Sequence, residues 1–363
     1  MSTPLRVLAF VPYPLGVAPS QRYRLEQWAP YLREEEIEIV FRPFAPPDLG
    51  QVLYRPGRTF RKARLIAGGL VARRRHLLEA QRADAAIVHR EACLLGPPWV
   101  ERRLARLGKP MLFDFDDAIW LPNASPVNRR FAFLKRPRKT PEICRLATAV
   151  TVGNAVLADY ARRHAAAVHV LPSTVSLREY SMAGRSPSPV PTVGWTGSHS
   201  SARYLEMLPE PLAELAARIR FRFVVVGAEG VALPGVEVEH RPWRAETEVR
   251  DLSDLDVGVM PLADDEWARG KCAMKAVQYM GLGIPAVVSP VGANAALVRD
   301  GENGYLASTP EEWRRALERL LSEPERRRRL GAAARLTVEQ GFSAETQAPR
   351  LARLLRSLVS AAS

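Results

Sequence analysis

The sequence predicts an α/β protein made of two doubly wound domains, each with a parallel sheet between layers of helices. Two observations favour this class. Short apolar segments alternate with segments of helical periodicity, which is typical of parallel strands joined by crossover helices. The alternation restarts after a polar, Pro-rich stretch at 181–191, and 363 residues are more than one typical core accommodates.

The first domain is expected to span 1–183. Its first apolar segment, LRVLAFV, is a predicted strand because it is continuous and is followed by a loop rich in Pro and Gly. Strands are predicted at 5–11, 37–41, 85–89, 110–115, 149–152 and 168–171. Helices are predicted at 20–33, 98–107 and 154–164.

The second domain is expected to span 190–343 and repeats the pattern. Strands are predicted at 192–195, 221–226, 236–240, 257–260 and 286–289. Helices are predicted at 202–217, 313–322, 324–340 and 344–359. Two consecutive α/β units of similar size predict two Rossmann-like domains that face each other across a cleft, with ligands bound at the carboxyl ends of the strands.

The charge of the chain is unevenly distributed. There are 52 basic and 39 acidic residues, a net charge of +13. Residues 1–185 hold 30 of the basic and 16 of the acidic residues, so the whole excess belongs to the first domain. Such an excess indicates an anionic partner, which is a nucleic acid, a membrane surface or a phosphorylated small molecule.

Several classes of protein are disfavoured. The three cysteines are scattered and odd in number, so they predict no disulfide framework. No signal peptide and no apolar run of ~18 residues is present, so we expect a cytoplasmic protein. The G-x-S-x-G and G-K-[ST] motifs are absent, the opening loop lacks G-x-G-x-x-G, and the six histidines show no metal-ligand spacing. No nucleic-acid-binding signature is present either.

The segment 256–306 carries the strongest chemical signal. A predicted strand ends in a loop with Lys271, and a helix is predicted to begin near Ala273, with Lys275 on its first turn and Gln278 one turn later. The exposed N–H groups of a helix start, together with two ammonium groups, suit a diphosphate. These are the only lysines after residue 139 in a chain that otherwise uses arginine. The alternative is that both are solvated surface lysines.

The same segment resembles the nucleotide-sugar-binding region of retaining glycosyltransferases of the GT-B fold, a family that includes many cell-envelope enzymes. It matches the family pattern in QYMGLGIPAVV at 278–288, in VG at 291–292 and in DGENGYL at 300–306, and weaker similarity extends over the chain. The resemblance implies sugar transfer from a nucleoside-diphosphate sugar to a hydroxyl acceptor, with retention of configuration and with neither metal nor cofactor. It also implies that the last helix, at 344–363, packs back on the first domain.

Some family residues are replaced. The Glu that binds the nucleotide ribose in the family is Gln278 here, and its first Glu aligns with Gly270. A neutral amide binds a hydroxyl less strongly than a carboxylate does. Lys271 and Lys275 resemble a K-x3-K variant of the family and are expected to bind the donor and to stabilise the leaving diphosphate. The replacements leave two alternatives open: a non-catalytic binder of nucleotide sugars, and a nucleotide-sugar epimerase.

Glycines are the next candidates for the donor site. GWTGS at 194–198 follows the first strand of the second domain and resembles the family loop that touches the donor diphosphate through backbone N–H groups. Gly197 and Ser198 are therefore expected to bind the donor, because glycine permits a close backbone approach. Gly292 and, in the first loop, Gly16 are assigned to the donor in the same way. A tight turn without a ligand is the alternative.

Three carboxylates lie at the end of the strand predicted at 110–115. Asp114, Asp116 and Asp117 repel one another, which indicates a raised pKa or a nearby cation or sugar hydroxyl. The resembling enzymes often place a His-Asp pair here, so Asp116 and Asp117 are expected to be catalytic and Asp114 to bind the acceptor. Helix capping is the alternative.

The first loop and the basic segments are assigned to the acceptor side. Ser20, Arg22 and Arg24 follow the first strand and are expected to bind the acceptor, although a helix cap explains Ser20 equally well. Basic residues mixed with apolar ones at 54–78 and 129–139 suit an anionic membrane surface or a lipid-phosphate acceptor. Solvated helix faces are the alternative. No nucleic acid is expected as a partner.

Overall fold

The structure is a computed structural model that describes residues 4–47, 57–122, 136–182 and 190–362. The chain divides into two compact units. Unit 1 comprises Met1–Ser173 and Gln347–Ser363, and unit 2 comprises Thr174–Thr346. Each unit holds one six-stranded sheet, and all the described strand pairs are parallel. The predicted α/β class is confirmed.

Unit 1 has the strand order β2-β1-β3-β4-β5-β6. Its strands are β1 Leu5–Val11, β2 Ile37–Pro43, β3 Ala85–His89, β4 Met111–Phe115, β5 Ala149–Val152 and β6 Val168–Val170. Its helices are α1 Pro19–Gln21, α2 Ala29–Glu34, α3 Thr59–Ala80, α4 Trp99–Arg106, α5 Thr140–Leu146 and α6 Ala155–Arg162. The central strands β3, β4 and β5 are buried along their whole length, as continuous apolar strands covered on both faces should be.

Two helical regions of unit 1 differ from the prediction. The helix predicted at 20–33 is broken: α1 begins at Pro19, passes into a π-helical turn at Arg22–Glu26, and is followed by α2 with a proline in its first turn. Proline lacks an N–H and therefore favours helix starts over helix interiors. The helix α3 covers 22 residues where the sequence indicated only a basic segment.

Unit 2 has the strand order β12-β11-β10-β7-β8-β9. Its strands are β7 Thr192–Thr196, β8 Arg222–Val226, β9 Val238–Arg241, β10 Val257–Met260, β11 Ala286–Val288 and β12 Gly304–Leu306. Its helices are α7 His199–Ala202, α8 Pro209–Ala216, α9 Glu248–Ser253, α10 Glu266–Arg269, α11 Met274–Gly281, α12 Ala293–Leu297, α13 Pro310–Ser322 and α14 Pro324–Gly341. Trp195 and Trp313 lie in its buried core.

Proline also divides the helix predicted at 202–217. The chain forms α7, a 3-10 turn at Arg203–Met207, and then α8, which starts at Pro209. The edge strand β12 was not predicted as a strand, because only three residues of its DGENGYL segment pair with β11.

The chain passes from unit 1 to unit 2 earlier than the composition predicted. Thr174 is the first residue of unit 2, whereas the first domain was expected to end at 183. Residues 183–189 lie outside the described residues. Val175 pairs with Ser343 of unit 2, and Tyr180 is completely buried. The last helix, α15 Ala344–Ser360, lies mainly in unit 1. Along the described ranges, no helix combines the length and the apolar character that crossing a membrane requires.

Candidate functional site

In both units the candidate residues lie at the carboxyl ends of the strands, the edge at which open parallel sheets bind ligands. Unit 2 presents the segments that follow β7, β8, β10 and β11. Unit 1 presents those that follow β1, β3 and β4.

The carboxyl edge of unit 2 contains glycines that leave no room for a side chain. Gly197 follows β7, and a Cβ atom there would lie 2.6 Å from the Trp195 ring. Gly292 precedes α12 with a φ angle of +57°, and a Cβ atom there would lie 2.5 Å from the carbonyl oxygen of Arg269. At both positions glycine is required by close packing, and at Gly292 also by the positive φ angle.

The loop after β7 is tied to α11 by a buried tyrosine. The hydroxyl of Tyr279 accepts a hydrogen bond from the N–H of Thr196 at 2.9 Å, and burial raises the pKa of Tyr279. Ser198 is exposed just beyond this tie, with its Oγ 2.9 Å from the Oγ of Ser200. The predicted donor loop is therefore anchored to the helix that carries the other predicted donor residues.

The two lysines of this edge lie against tryptophan rings. The Nζ of Lys271 is 5.7 Å from the centre of the Trp267 ring, and the Nζ of Lys275 is 5.4 Å from the centre of the Trp195 ring. Cation–π contacts of this kind hold an ammonium group in place without neutralising its charge. Because Gly197 also contacts Trp195, the structure brings a predicted lysine and a predicted glycine together.

Gln278 lies in a buried polar cluster. Its Nε2 donates to the hydroxyl of Tyr180 at 2.9 Å and to Oε1 of Glu248 at 3.2 Å. The same Oε1 accepts from Nε1 of Trp243 at 2.8 Å. Sequence reasoning missed Glu248, because an acidic residue at the start of a helix is ordinarily explained by the helix dipole.

The edge of unit 1 is built from ionised side chains around Asp114. The carboxylate of Asp114 accepts from Arg24 Nε at 2.9 Å, from His89 Nδ1 at 2.8 Å and from Thr151 Oγ1 at 2.7 Å. Burial raises the pKa of this carboxyl, but the guanidinium of Arg24 and the hydrogen bond with His89 outweigh it and hold the pKa well below its usual value. Asp114 and Arg24 are only 3% and 1% exposed, which places them beneath the surface as supports.

A chain of hydrogen bonds leads from Asp114 to the surface. His89 Nε2 lies 2.9 Å from the Oγ of Ser20, and this hydroxyl donates to Oδ1 of Asp116 at 2.5 Å. The two ring nitrogens of His89 thus connect Asp114 with Ser20, and Ser20 connects His89 with Asp116.

Arg90 pairs with both outer carboxylates. Its Nε donates to Asp116 Oδ1 at 2.9 Å, and its Nη2 donates to Asp117 Oδ2. Burial opposes ionisation of Asp116, but the charges of Arg90 and His89 lower its pKa. Arg90 has a φ angle of +58°, an uncommon conformation for a side chain of this size. The structure therefore brings Asp114, Asp116 and Ser20 together and adds His89 and Arg90, which the sequence analysis missed.

The first loop has two further predicted residues. The N–H of Gly16 donates to Oε2 of Glu26 at 2.8 Å, and its φ angle is +78°. Burial raises the pKa of Glu26, a rise that the hydrogen bond from Gly16 limits. Arg22 is 9% exposed and stacks over the ring of Tyr23, with its guanidinium carbon 5.1 Å from the ring centre.

Helix α3 presents apolar and basic side chains on one exposed face. Phe60, Val71 and Leu78 are 85%, 57% and 63% exposed. Arg64 and Arg75 are exposed and fall between them at helical spacing. The other basic segment, at 129–139, lies mostly outside the described residues.

Metal ligands were not expected. Within the described ranges, no three His, Cys, Asp or Glu side chains are grouped so that they could hold a metal ion.

Comparison with known proteins supports the resemblance. Residues 190–323 match the family described as Glycosyl transferases group 1. A Xenopus tropicalis protein named Glycosyltransferase 1 domain-containing protein 1 is 29% identical over 82 residues, which are 23% of this chain and 24% of that protein. The chain thus spans about a quarter of that relative.

Solved structures match over nearly the whole chain. A glycosyltransferase from Rickettsia africae has a TM-score of 0.71 at 11% identity and covers 99% of both chains. Anabaena HepE in complex with UDP and glucose has a TM-score of 0.63 at 16% identity, over 97% of this chain and 100% of that one. These likenesses show that the chain has the GT-B fold, and the family match agrees with the resemblance that the sequence suggested.

Proposed function

We propose that this protein is a retaining glycosyltransferase that moves a sugar from a nucleoside-diphosphate sugar to a hydroxyl acceptor. The observation that carries the proposal is the edge of unit 2, where Lys275 and Gly197 meet at Trp195 within the segment that matches the group 1 family. The solved HepE complex contains UDP and glucose, which supports a nucleotide sugar as the donor. Retention rests on the sequence resemblance alone.

The donor is assigned to unit 2. Lys271 and Lys275 place two ammonium groups near the start of α11, where they would stabilise the negative charge that develops on the leaving diphosphate. Two fixed cations are a reason for the reaction to proceed without a metal. The N–H of Gly197 itself bonds to the carbonyl oxygen of Val226. The loop that follows Gly197 and the turn at Gly292 would contribute backbone N–H groups to the same diphosphate.

The acceptor is assigned to unit 1. Asp116 is the last carboxylate of the hydrogen-bonded chain that leads from Asp114 toward the surface. It would hold the reacting hydroxyl of the acceptor. Ser20 and Arg90 fix its position, and Asp117 is held by the same guanidinium. Asp114 and Arg24 act as buried supports. An ionised carboxylate at this point accepts a hydrogen bond from a hydroxyl and raises its nucleophilicity.

A thermal-shift screen against nucleotide sugars tests the donor assignment. A specific donor must raise the melting temperature, because it binds the folded state. Lys275→Met should reduce the shift clearly, whereas Arg250→Met, which removes an exposed cation from α9, should leave it unchanged. An equal shift in the Lys275→Met variant would contradict the site.

Release of nucleoside diphosphate separates transfer from the two alternatives. A transferase releases the diphosphate in proportion to the acceptor that is supplied, while a binder releases none and an epimerase keeps the nucleotide sugar intact. Product formation with Asp116→Asn should fall by about 100-fold. Epimerised donor without release would favour the epimerase.

We also propose that the acceptor lies at an anionic membrane surface on the cytoplasmic side, in cell-envelope biosynthesis. The exposed face of α3 supports this, because Phe60, Val71 and Leu78 can enter the headgroup region while Arg64 and Arg75 meet anionic lipids. An apolar helix face with basic residues is typical of proteins that lie on a bilayer.

Co-sedimentation with vesicles of phosphatidylglycerol and phosphatidylcholine tests the membrane surface. The double variant Phe60→Ser/Leu78→Ser should lose binding, and so should Arg64→Gln/Arg75→Gln. Leu336→Ser replaces a leucine that is 51% exposed on α14 of unit 2 and serves as the matched control. Binding that survives both double variants would contradict the assignment.

A further inference from the structure

A stack of aromatic rings connects the end of β4 with helix α6 in unit 1. The rings of Trp120 and Tyr160 are parallel to within 5°, with their centres 3.7 Å apart. The buried ring of Phe115 lies 6.3 Å from Trp120 and nearly perpendicular to it, and the ring of His164 lies 5.1 Å from Tyr160. Trp120 and Tyr160 are both partly exposed, so the stack leads from the buried sheet to the surface.

The polar atoms of this stack are available to a ligand. Within the described ranges, neither the indole N–H of Trp120 nor the hydroxyl of Tyr160 has a hydrogen-bond partner. These two groups usually find a partner when they are buried against protein. A ligand that covers the stack can therefore form hydrogen bonds with it as well as apolar contacts.

Two exposed arginines lie beside the stack. Burial raises the pKa of Tyr160, whereas the charges of Arg145 and Arg163 lower it. Burial lowers the pKa of His164, and the same two charges add to this effect. Arg145 ends α5, and Arg163 directly follows α6. Both guanidinium groups are therefore close enough to the outer rings of the stack to act on them.

The carboxylates of these helices are occupied by other arginines. Glu142 pairs with Arg102 at 2.5 Å, and Asp159 pairs with Arg162 at 2.8 Å. In the part of the chain that the structure describes, the two arginines beside the stack have no ion-pair partner. The surface around the aromatic rings therefore carries positive charge that a bound anion can satisfy.

An aromatic surface flanked by guanidinium groups suits a sugar ring that carries a negative charge. The C–H groups of a sugar ring pack against an aromatic face, and its hydroxyls accept hydrogen bonds from an indole N–H. Arginine binds a carboxylate or a phosphate with paired hydrogen bonds. Trp120 also belongs to the segment after β4 that carries Asp116, the residue assigned to the acceptor.

We propose that Trp120, Tyr160, Arg145 and Arg163 form a binding site for a negatively charged sugar of the acceptor, a uronic acid or a sugar phosphate. The ring stacks on Trp120, and the two arginines bind its carboxylate or phosphate. The proposal rests on the proposed function in taking a sugar-containing acceptor as the ligand. The site holds a sugar other than the one that reacts at Asp116, so it selects among acceptors.

Isothermal titration without any nucleotide sugar tests the site. The probes are a hyaluronan tetrasaccharide, which contains glucuronate, glucose 6-phosphate, and the neutral maltotetraose. The wild type should bind an anionic probe about tenfold or more tightly than maltotetraose, because charge-assisted hydrogen bonds are lost with the neutral sugar. Arg145→Gln/Arg163→Gln should reduce this preference to near unity. Arg162→Gln removes a neighbouring exposed arginine that is already paired, and it should keep the preference.

Trp120→Leu separates stacking from charge. It keeps an apolar side chain but removes the aromatic face, so the affinity for the anionic probe should fall about fivefold or more. Its preference for that probe over maltotetraose should remain, since both arginines are still present. The double arginine variant changes only exposed side chains and provides the readout should Trp120→Leu fail to fold.

The outcomes decide between this site and its alternatives. The site is overturned if the wild type binds neither anionic probe, if the preference survives the loss of both arginines, or if Trp120→Leu binds with unchanged affinity. Binding of an oligothymidylate, but of neither anionic sugar, would assign the surface to a nucleic acid and overturn the site as well. Failure of the nucleotide-sugar screen would overturn the proposed function instead, because these titrations contain no donor.

Discussion

The carboxyl edges of the two sheets are built from different chemical groups. In unit 1 the edge consists of ionised side chains that satisfy one another, from Asp114 and Arg24 in the interior to Asp116 and Arg90 near the surface. In unit 2 it consists of glycines that bring backbone close to neighbouring atoms, with Lys275 held over an aromatic ring. The difference suits two kinds of ligand, because backbone N–H groups and cations bind a phosphate while a positioned carboxylate binds a hydroxyl.

The contrast also predicts different consequences of mutation. Removing one member of a buried ion pair leaves its partner uncompensated, so the edge of unit 1 should be sensitive in stability. Removing a lysine from the edge of unit 2 should reduce ligand affinity with little change in stability.

Asp114→Ala should give the largest loss of stability. It leaves the guanidinium of Arg24 buried without this carboxylate, which costs about 3–5 kcal/mol in the free energy of unfolding. Urea denaturation followed by circular dichroism measures it. Asp264→Ala breaks an exposed pair with Arg269 in unit 2 and should cost little stability, because water screens an exposed ion pair. Equal losses would mean that the network of unit 1 is no more sensitive than a surface pair.

Gly292→Ala tests the backbone edge of unit 2. The added Cβ would meet the carbonyl oxygen of Arg269 in a conformation that disfavours side chains, so stability should fall by about 1–3 kcal/mol. Gly301→Ala is the control, since Gly301 also has a positive φ angle, +73°, but its Cβ would meet open space. The close approach is unimportant if the two variants melt at the same temperature.

Ser20→Ala removes the hydroxyl between His89 and Asp116. Turnover should fall about tenfold, the equivalent of one hydrogen bond to a charged group, because Asp116 loses the donor that positions it. Donor affinity, measured by titration, should stay unchanged. Ser200→Ala, in the exposed loop of unit 2, is the matched control. A change in donor affinity without a change in turnover would assign Ser20 to the donor site instead of the acceptor site.

His76 gives the smallest effect, a pH dependence. Burial lowers the pKa of His76 from 6.5 to about 4, and the nearby charge of Arg73 adds to this. Between these values the unfolded chain binds more protons than the folded one, so the stability that this group contributes above pH 6.5 is lost as the pH falls toward 4. His76→Gln should weaken the dependence of the melting temperature on pH over this range. An unchanged dependence would contradict the assignment of this effect to His76.

The strands were predictable, whereas the partners of the candidate residues were not. Continuous apolar runs place β1, β3 and β10 where the structure has them, because period and length are properties of a segment. The role of His89 depends on the register of two strands, which sets His89 opposite Asp114. No spacing in the sequence states that register, although a histidine that ends a buried strand was a signal that could have been followed.

Glu248 shows the same limit in unit 2. The sequence shows a glutamine at 278 but not that its amide lies 3.2 Å from the carboxylate of Glu248 on a different helix. Likewise, the run at 54–78 shows basic and apolar residues together, and only the helix α3 shows which of them share an exposed face. Local patterns predicted the elements, and tertiary contacts decided which residues act together.

We propose that unit 2 binds the donor while Asp116 of unit 1 acts on the acceptor. Titration of the donor identified by the thermal-shift screen into Lys275→Met and Asp116→Asn tests it most directly. Lys275→Met should weaken binding by at least about tenfold, the loss of one charge-assisted contact, and Asp116→Asn should bind as tightly as the wild type. Weakened binding in Asp116→Asn with normal binding in Lys275→Met would contradict it.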